Sequence, residues 1–266
     1  MKLLSLILPI AFLAGFSNSV TADSADDWRS IAASFDCSLF RAATSASPRP
    51  ADPLDAVLKK MDALAATFRS AQAEFEWDNY ERVIDEIDEI DTGTIYYRRN
   101  GKEVEMMAEV KKVGTSLDAL KPEPKYVLFS GGKIRLYQPK IDQVTEFDLG
   151  KNRSDFEGYI VLGFGGSGQD LVKQFDVTYV GPETIDGVAT AKLQLIPKSQ
   201  KFRNTYNQIL LWIDLDRGIS VQQKLIQPQG DYRLAKYSNI VIGKKIPDDV
   251  FKLKTDSKTQ TIMPKG

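Results

Sequence analysis

The chain has 266 residues, 42% hydrophobic and 27% charged, with 35 basic and 36 acidic side chains, no histidine and one cysteine. That suits one globular domain with extensions, and the near-cancelling charge, with no segregated basic block, excludes the electrostatic footprint of a nucleic-acid binder. Without histidine, Ser-His-Asp and Cys-His nucleophilic systems and His-containing zinc sites are excluded, and a lone cysteine forms no intramolecular disulfide.

In chain order, Lys2, the apolar run from Leu3 to Phe16 and the small-residue site Val20-Thr21-Ala22 read as a signal peptide over residues 1–22, cleaved after Ala22. The apolar run is too short to span a bilayer, and an uncleaved N-terminal anchor is the other reading. No later run reaches the roughly 18 apolar residues of a spanning helix, so the mature chain is expected to be soluble outside the cytoplasm. Residues 23–50, rich in Ala, Ser, Asp and Pro, read as a flexible lead-in. Cys37 lies within it and reads as an inert or dimerising thiol.

From Pro53 the pattern changes. Leu54, Val57, Leu58, Met61, Leu64 and Phe68 recur at spacings of three and four, the stripe of an amphipathic helix that Asp52 and Pro53 would start. Strand-like runs follow at 71–77, 94–99, 103–110, through a meander over 126–149, and at 175–180, 188–196, 208–215, 220–227 and 232–242, separated by Gly, Pro, Asp and Asn turns. Ten or eleven strands in one sheet exceed what usually stays flat, and no helical pattern alternates with them, so parallel α/β units are not expected. In "NQILLWIDLDRG", Ile209, Leu211, Ile213 and Leu215 share a face, while Leu210 and Trp212 interrupt the polar side. One long helix cannot cover the apolar face of so many strands. The pattern alone leaves two solutions open, a curved sheet around partly unfilled volume or a well-packed sandwich.

The motifs are few. "GFGGSG" matches G-x-G-x-x-G through Gly163, Gly165 and Gly168, but antiparallel strands follow it and no acidic residue is placed for a ribose. It reads as a loop into a short helix with Ser167 and Asp170 as a capping pair, and in a cavity protein it would serve as a lid or hinge loop. The acidic run "ERVIDEIDEID" (81–91) lacks EF-hand spacing and reads as a solvated hairpin. Arg98 and Arg99 end a strand, where Arg is either solvated or latches several backbone carbonyls. No nucleophile and base can be named, so neither an enzyme nor a cofactor or metal site is expected.

Taken in order, "FRSAQAEFEW", "GTIYYRR", "VLFSGGKIRLYQPKIDQV", "LQLIPK", "ILLWIDLDRG" and "IPDDVFKL" resemble the periplasmic outer-membrane lipoprotein carrier LolA and its sorting-protein relatives, over roughly residues 51–255. Residues 256–266 would be a C-terminal tail. The resemblance implies a mainly β (α+β) fold, a curved, incomplete antiparallel β-barrel with helices lidding an apolar cavity. It places Arg99 at the family's lid-latching arginine and Tyr137 and Pro139 in its Tyr-x-Pro turn. Alternating apolar positions then suggest a cavity lining of Val104, Met106, Val127, Phe129, Ile134, Leu136, Leu211 and Ile213. The implied function is a monomeric periplasmic carrier of acylated lipoproteins or lipids. Its implied partners are an inner-membrane ATP-driven release complex and an outer-membrane acceptor. The alternative within the same superfamily is a lipid-sensing envelope-stress regulator. Asn100 stands where the family has proline, the 81–91 run lengthens the first hairpin, and the lead-in is not a family feature.

Overall fold

A computed structural model describes residues 52–101, 103–150, 159–160 and 162–264. The expected signal peptide, the lead-in and Cys37 lie outside the described residues. Helix α1 (Pro53–Thr67) begins where the sequence signals it: the Asp52 carboxylate accepts from the Leu54 N–H at 3.0 Å, and Pro53 occupies the first turn, where a missing N–H costs nothing. The helix buries Val57 and Met61 and gives way at Phe68 to extended backbone.

Eleven strands follow the runs read from sequence: β1 (Ser70–Glu81), β2 (Glu86–Asn100), β3 (Glu103–Gly114), β4 (Lys121–Ser130), β5 (Lys133–Gln138), β6 (Gln143–Asp148), β7 (Phe175–Ile185), β8 (Val188–Pro197), β9 (Gln208–Asp214), β10 (Ser220–Ile226) and β11 (Tyr232–Ile242). A twelfth, β12 (Gln260–Ile262), lies in the stretch read as a tail and adds in parallel to β6. Two short helices, α2 (Gly168–Gln174) and α3 (Gln200–Arg203), flank β7 and β8. Among the described residues no helix is long and apolar enough to cross a membrane.

All twelve strands form one sheet in the order β12-β6-β5-β4-β3-β2-β1-β11-β10-β9-β8-β7. The fold is mainly β: a large, curved, open sheet that does not close into a barrel. Register shifts at Gln72/Glu74, Thr92/Gly93 and Val110/Lys112 put an extra residue into β11, β3 and β4 respectively, and bulges bend a sheet. Gly93 is where two strands come closest, since a Cβ there would sit 1.9 Å from the Glu109 carbonyl oxygen.

The cross-strand register sorts side chains onto two faces. One row on the concave face runs Ala71, Tyr97, Met106, Phe129, Ile134, Phe147, and the next runs Ala73, Ile95, Ala108, Val127, Leu136. On the other wing Ala235, Gln223, Leu211 and Leu193 continue the row of Trp77. The convex face is covered by the segment after β11, where Ile246 and Phe251 pack on Met107 and Leu128.

Two sequence readings change. The run 81–91 is not a solvated hairpin: only its turn is exposed, and β2 continues through Ile90 and Asp91, both buried. The Ile-Asp-Glu repetition conceals a strand whose inward positions carry charge. Leu215 lies past the end of β9, outside the strand, and is 39% exposed. Trp212 does interrupt the polar side: it is buried on the convex face under the Lys192 ammonium, 4.8 Å from its ring.

Candidate functional site

The topology decides what covers the concave face. The chain leaves the sheet at β6, near one edge, and re-enters at β7, the opposite edge, so the connection between them must cross the mouth of the curve. Its described residues send Leu162, Phe164 and Leu171 inward. Phe164, fully buried, stacks on Tyr97 with centroids 4.6 Å apart and meets Tyr237 edge-on at 4.6 Å. Helix α1 covers the β8–β9 wing with Val57 and Met61, and Phe68 closes the middle. Among the described residues the cover thus includes α1, α2 and the loop before it, laid over an apolar sheet.

The glycines of "GFGGSG" have a packing cause. Gly163 (φ +75°) and Gly165 (φ +81°) need the left-handed region, and an added Cβ would stand 2.3 Å from Ser220 Cβ and 2.5 Å from the Phe68 ring, respectively. A Cβ at Gly168 would meet the Leu58 carbonyl oxygen at 2.6 Å. Backbone-close packing of this loop on α1 and β10 therefore explains all three. The Ser167 hydroxyl accepts from the Asp170 N–H at 3.0 Å and caps α2 as the spacing indicated.

Arg98 and Arg99 point to opposite faces, as successive strand residues must. Arg98 faces outward, donates to Glu105 at 2.6 and 2.9 Å, pairs with Asp248, and lies 4.3 Å over the Phe251 ring, pinning the C-terminal segment to the convex face. Arg99 reaches over the Phe68 ring to the cover. Its Nη2 donates to the Gly165 carbonyl at 2.9 Å, and its Nη1 lies 3.5 Å from the Ala65 carbonyl in the last turn of α1. One guanidinium therefore joins wall, helix and loop through main-chain acceptors. Asn100 ends β2 opposite Glu103 in the hairpin.

The residues expected to line the cavity all face the concave side but divide between two clusters. Val104, Val127, Phe129, Ile134 and Leu136, with partly buried Met106, belong to the cluster under Phe68 and Phe164, whereas Leu211 and Ile213 belong to the one under α1. Side chains of α1 and the crossover occupy the curve between these walls. An apolar slot of about 230 Å³ persists where α1 meets the β7 edge, lined by Pro53, Val57, Lys60, Tyr179, Ile213 and Leu215. Tyr137 and Pro139 lie elsewhere, in a convex pocket of about 260 Å³ with Tyr126, Val250 and Lys252.

Sequence reasoning missed the charge inside the curve. Asp91 is 0% exposed, and burial pushes its carboxyl up to about 6 although the Lys125 ammonium opposes the shift. Lys125, itself buried, lies 3.6 Å from Asp91 and 3.5 Å from Glu89. Deeper on the same wall, Arg233 Nε donates to Asn79 Oδ1 at 3.0 Å, and the guanidinium lies 5.1 Å from the Trp77 ring. The available signal was the alternation of Glu89 and Asp91 in phase with Ile95 and Tyr97, the inward apolar positions of the same strand.

No family model matches the chain, and no curated protein does. Among solved structures it is similar to a conserved uncharacterized protein from Thermus thermophilus, at 11% identity and TM-score 0.50 over 79% of this chain and 98% of that one. It is also similar to a LolA superfamily protein from Nitrosomonas europaea, at 13% identity and TM-score 0.36 over 75% of this chain and 97% of that one. A third likeness is to a chain of the MucA/MucB complex of Pseudomonas aeruginosa, at 17% identity and TM-score 0.43 over 75% of this chain and 61% of that one. At these identities the likeness is one of fold. That fold is a single curved sheet left open, antiparallel but for β12, with helices and a crossover loop on its concave side.

Proposed function

We propose that the protein binds the acyl chains of a lipid or lipoprotein against its concave face, carries them through the periplasm and delivers them towards the outer membrane. One observation carries the reading: the apolar wall is covered by a helix and a glycine-hinged loop, joined to it at Arg99 through main-chain carbonyls. Such a cover can lift without breaking the sheet, and lifting it bares the wall of Phe129, Ile134 and Leu136 together with Leu211 and Ile213. Arg99 is then the latch, and the 163–168 loop the moving part. Energetics allow exchange, because a sixteen-carbon chain gains about 13 kcal/mol at ~0.8 kcal/mol per buried methylene, the same order as withdrawing Val57, Met61, Phe68, Leu162, Phe164 and Leu171 at about 1.5–3 kcal/mol each. No nucleotide on this chain is required. Extraction from the inner membrane would draw on an ATP-driven partner and release on a better apolar acceptor.

The test is binding and transfer. The mature chain should take up a fluorescent palmitoyl probe saturably and pass it to phospholipid liposomes. Absence of saturable binding removes the reading, and binding without transfer would make the protein a lipid sensor instead. For the export step, N-terminal sequencing of periplasmic protein should begin at Asp23. A mature chain retaining Lys2 would refute cleavage there.

A further inference from the structure

The end of β1 and β2 away from Arg99 carries charges that acyl binding does not use. Asp91 is fully buried, and neither of its carboxylate oxygens has a protein hydrogen-bond partner. The nearest cation, Lys125 Nζ at 3.6 Å, is beyond hydrogen-bond reach and is shared with Glu89. In the ladder Trp77 stands opposite Asp91, while Asn79 stands opposite both Glu89 and Arg233. Arg233 holds Asn79 and the Trp77 face, yet its Nη2 is buried without a partner. An unmatched acceptor and an unmatched donor thus flank one indole ring. Buried polar groups are normally bonded, so each such exception calls for an explanation.

The geometry points to a headgroup subsite: the charged floor around Trp77 takes the zwitterionic head of a phospholipid, its ammonium against Asp91 and its phosphate against Arg233 and Lys125. This rests on the acyl-carrying reading above and names the class of lipid. Charge balance selects the head. Asp91 and Glu89 offset Lys125 and Arg233, so a net-neutral head adds no uncompensated charge, whereas an anionic head would set phosphate against Asp91 with no ammonium between. A headless diacylglycerol leaves both orphan groups unmatched. Length agrees: the eight residues from Asp91 to Arg99 span about 26 Å at 3.2–3.4 Å each, against the roughly 15 Å that acyl chains occupy in one leaflet. The chain would run from the floor past Ile95 and Tyr97 towards the latch.

The experiment offers the mature protein vesicles containing phosphatidylethanolamine, phosphatidylglycerol and diacylglycerol in equal amounts with identical chains. Mass spectrometry of the re-isolated protein then reads what it kept. The expected result is at least tenfold enrichment of phosphatidylethanolamine over both others, falling below twofold in Asp91→Asn and in Arg233→Met, with diacylglycerol still retained. Melting curves accompany both variants, and the near-isosteric Asp91→Asn decides should Arg233→Met not fold. Equal uptake of the three lipids by wild type, or an unchanged preference in Asp91→Asn, overturns the headgroup site while leaving acyl binding intact. Failure to retain any lipid or the palmitoyl probe overturns both.

Discussion

At the scale of single residues, Arg99 and Asp91 illustrate opposite uses of a buried-side charge. The guanidinium is a fixed fork whose acceptors are neutral carbonyls at 2.9 and 3.5 Å, and the Asp170 carboxylate of α2 is near enough to feel its charge, so it stabilises the closed cover through main-chain bonds and a favourable charge. Replacing it by leucine should lower stability by about 1.5–3 kcal/mol in urea titration, the worth of one well-formed charge-assisted bond. The closed, empty form is the product of cargo release, so weakening it disfavours release. We expect Arg99→Leu to bind the palmitoyl probe and to transfer it to liposomes more slowly than wild type. Transfer at the wild-type rate would show that Arg99 is not a latch. Asp91 behaves the other way. Its folded-state value of about 6 lies above its unfolded value of 3.8, because burial outweighs Lys125 and Arg233 while Glu89 adds repulsion. A raised value means the native state holds the proton more tightly, so its stabilising effect is complete below 3.8 and is lost as pH rises through about 6. Two units at ~1.4 kcal/mol each make the ionised group a liability of about 3 kcal/mol at neutral pH. Asp91→Asn should therefore be more stable than wild type at pH 7.5, by up to that amount, and equal to it near pH 4. A destabilised variant at pH 7.5 would mean that Lys125 needs Asp91 more than burial penalises it.

At the scale of elements, the crossover loop is built from glycines because side chains of other elements occupy the space a Cβ would need. Gly165→Ala puts a methyl 2.5 Å from the Phe68 ring at a φ of +81°, so overpacking and strain act together. A loss of about 1–3 kcal/mol is expected, read as a lower urea midpoint with an unchanged slope. An unchanged midpoint would show that the loop can shift off Phe68 at no cost. The same loop shows where sequence reading runs out. Spacing alone placed α1, its Asp52-Pro53 start and the Ser167 cap, because these signals are local. The eleven strands were equally legible from period-two runs and turn residues. The reason for three glycines was not, since contacts of the loop with Phe68, Leu58 and Ser220 join residues distant in sequence. The inward placement of Asp91 failed for a related reason: polarity argued for solvent, and only the continuation of β2 past the acidic turn turns that position to the concave face. Arg98 and Arg99 were legible as a pair and separable only by register.

At the scale of the whole molecule, the controlling feature is that β6 and β7 lie near opposite edges of one open sheet, so their connection must span the concave face. A closed barrel would hold its interior by main-chain ladders, whereas here it is held by side chains of α1 and the crossover. Those elements lie towards the low end of local stability, because they meet the sheet through apolar contacts, the Arg99 bonds and two bonds from β10, Ser220 N–H to the Gly163 carbonyl at 2.8 Å and Gln223 Nε2 to the Leu162 carbonyl at 2.6 Å, rather than a ladder. An acyl chain of about 13 kcal/mol gross burial is on the scale of their buried side chains and can take their place, while the central ladders of β1 to β4 do not open on that scale. Cargo should therefore exchange places with the cover and leave the sheet intact. Hydrogen exchange with and without palmitoylated cargo checks this directly. Amides of residues 53–68 and 162–174 should exchange faster in the loaded protein, by about tenfold for each 1.4 kcal/mol of lost closure, while those of β2, β3 and β4 stay equal or slow. Faster exchange spread over β2 to β4 would mean that cargo enters by opening the sheet. Protection at 53–68 would mean that α1 clamps the chain rather than yielding to it, and the account of Arg99 as a latch released on loading would then be wrong.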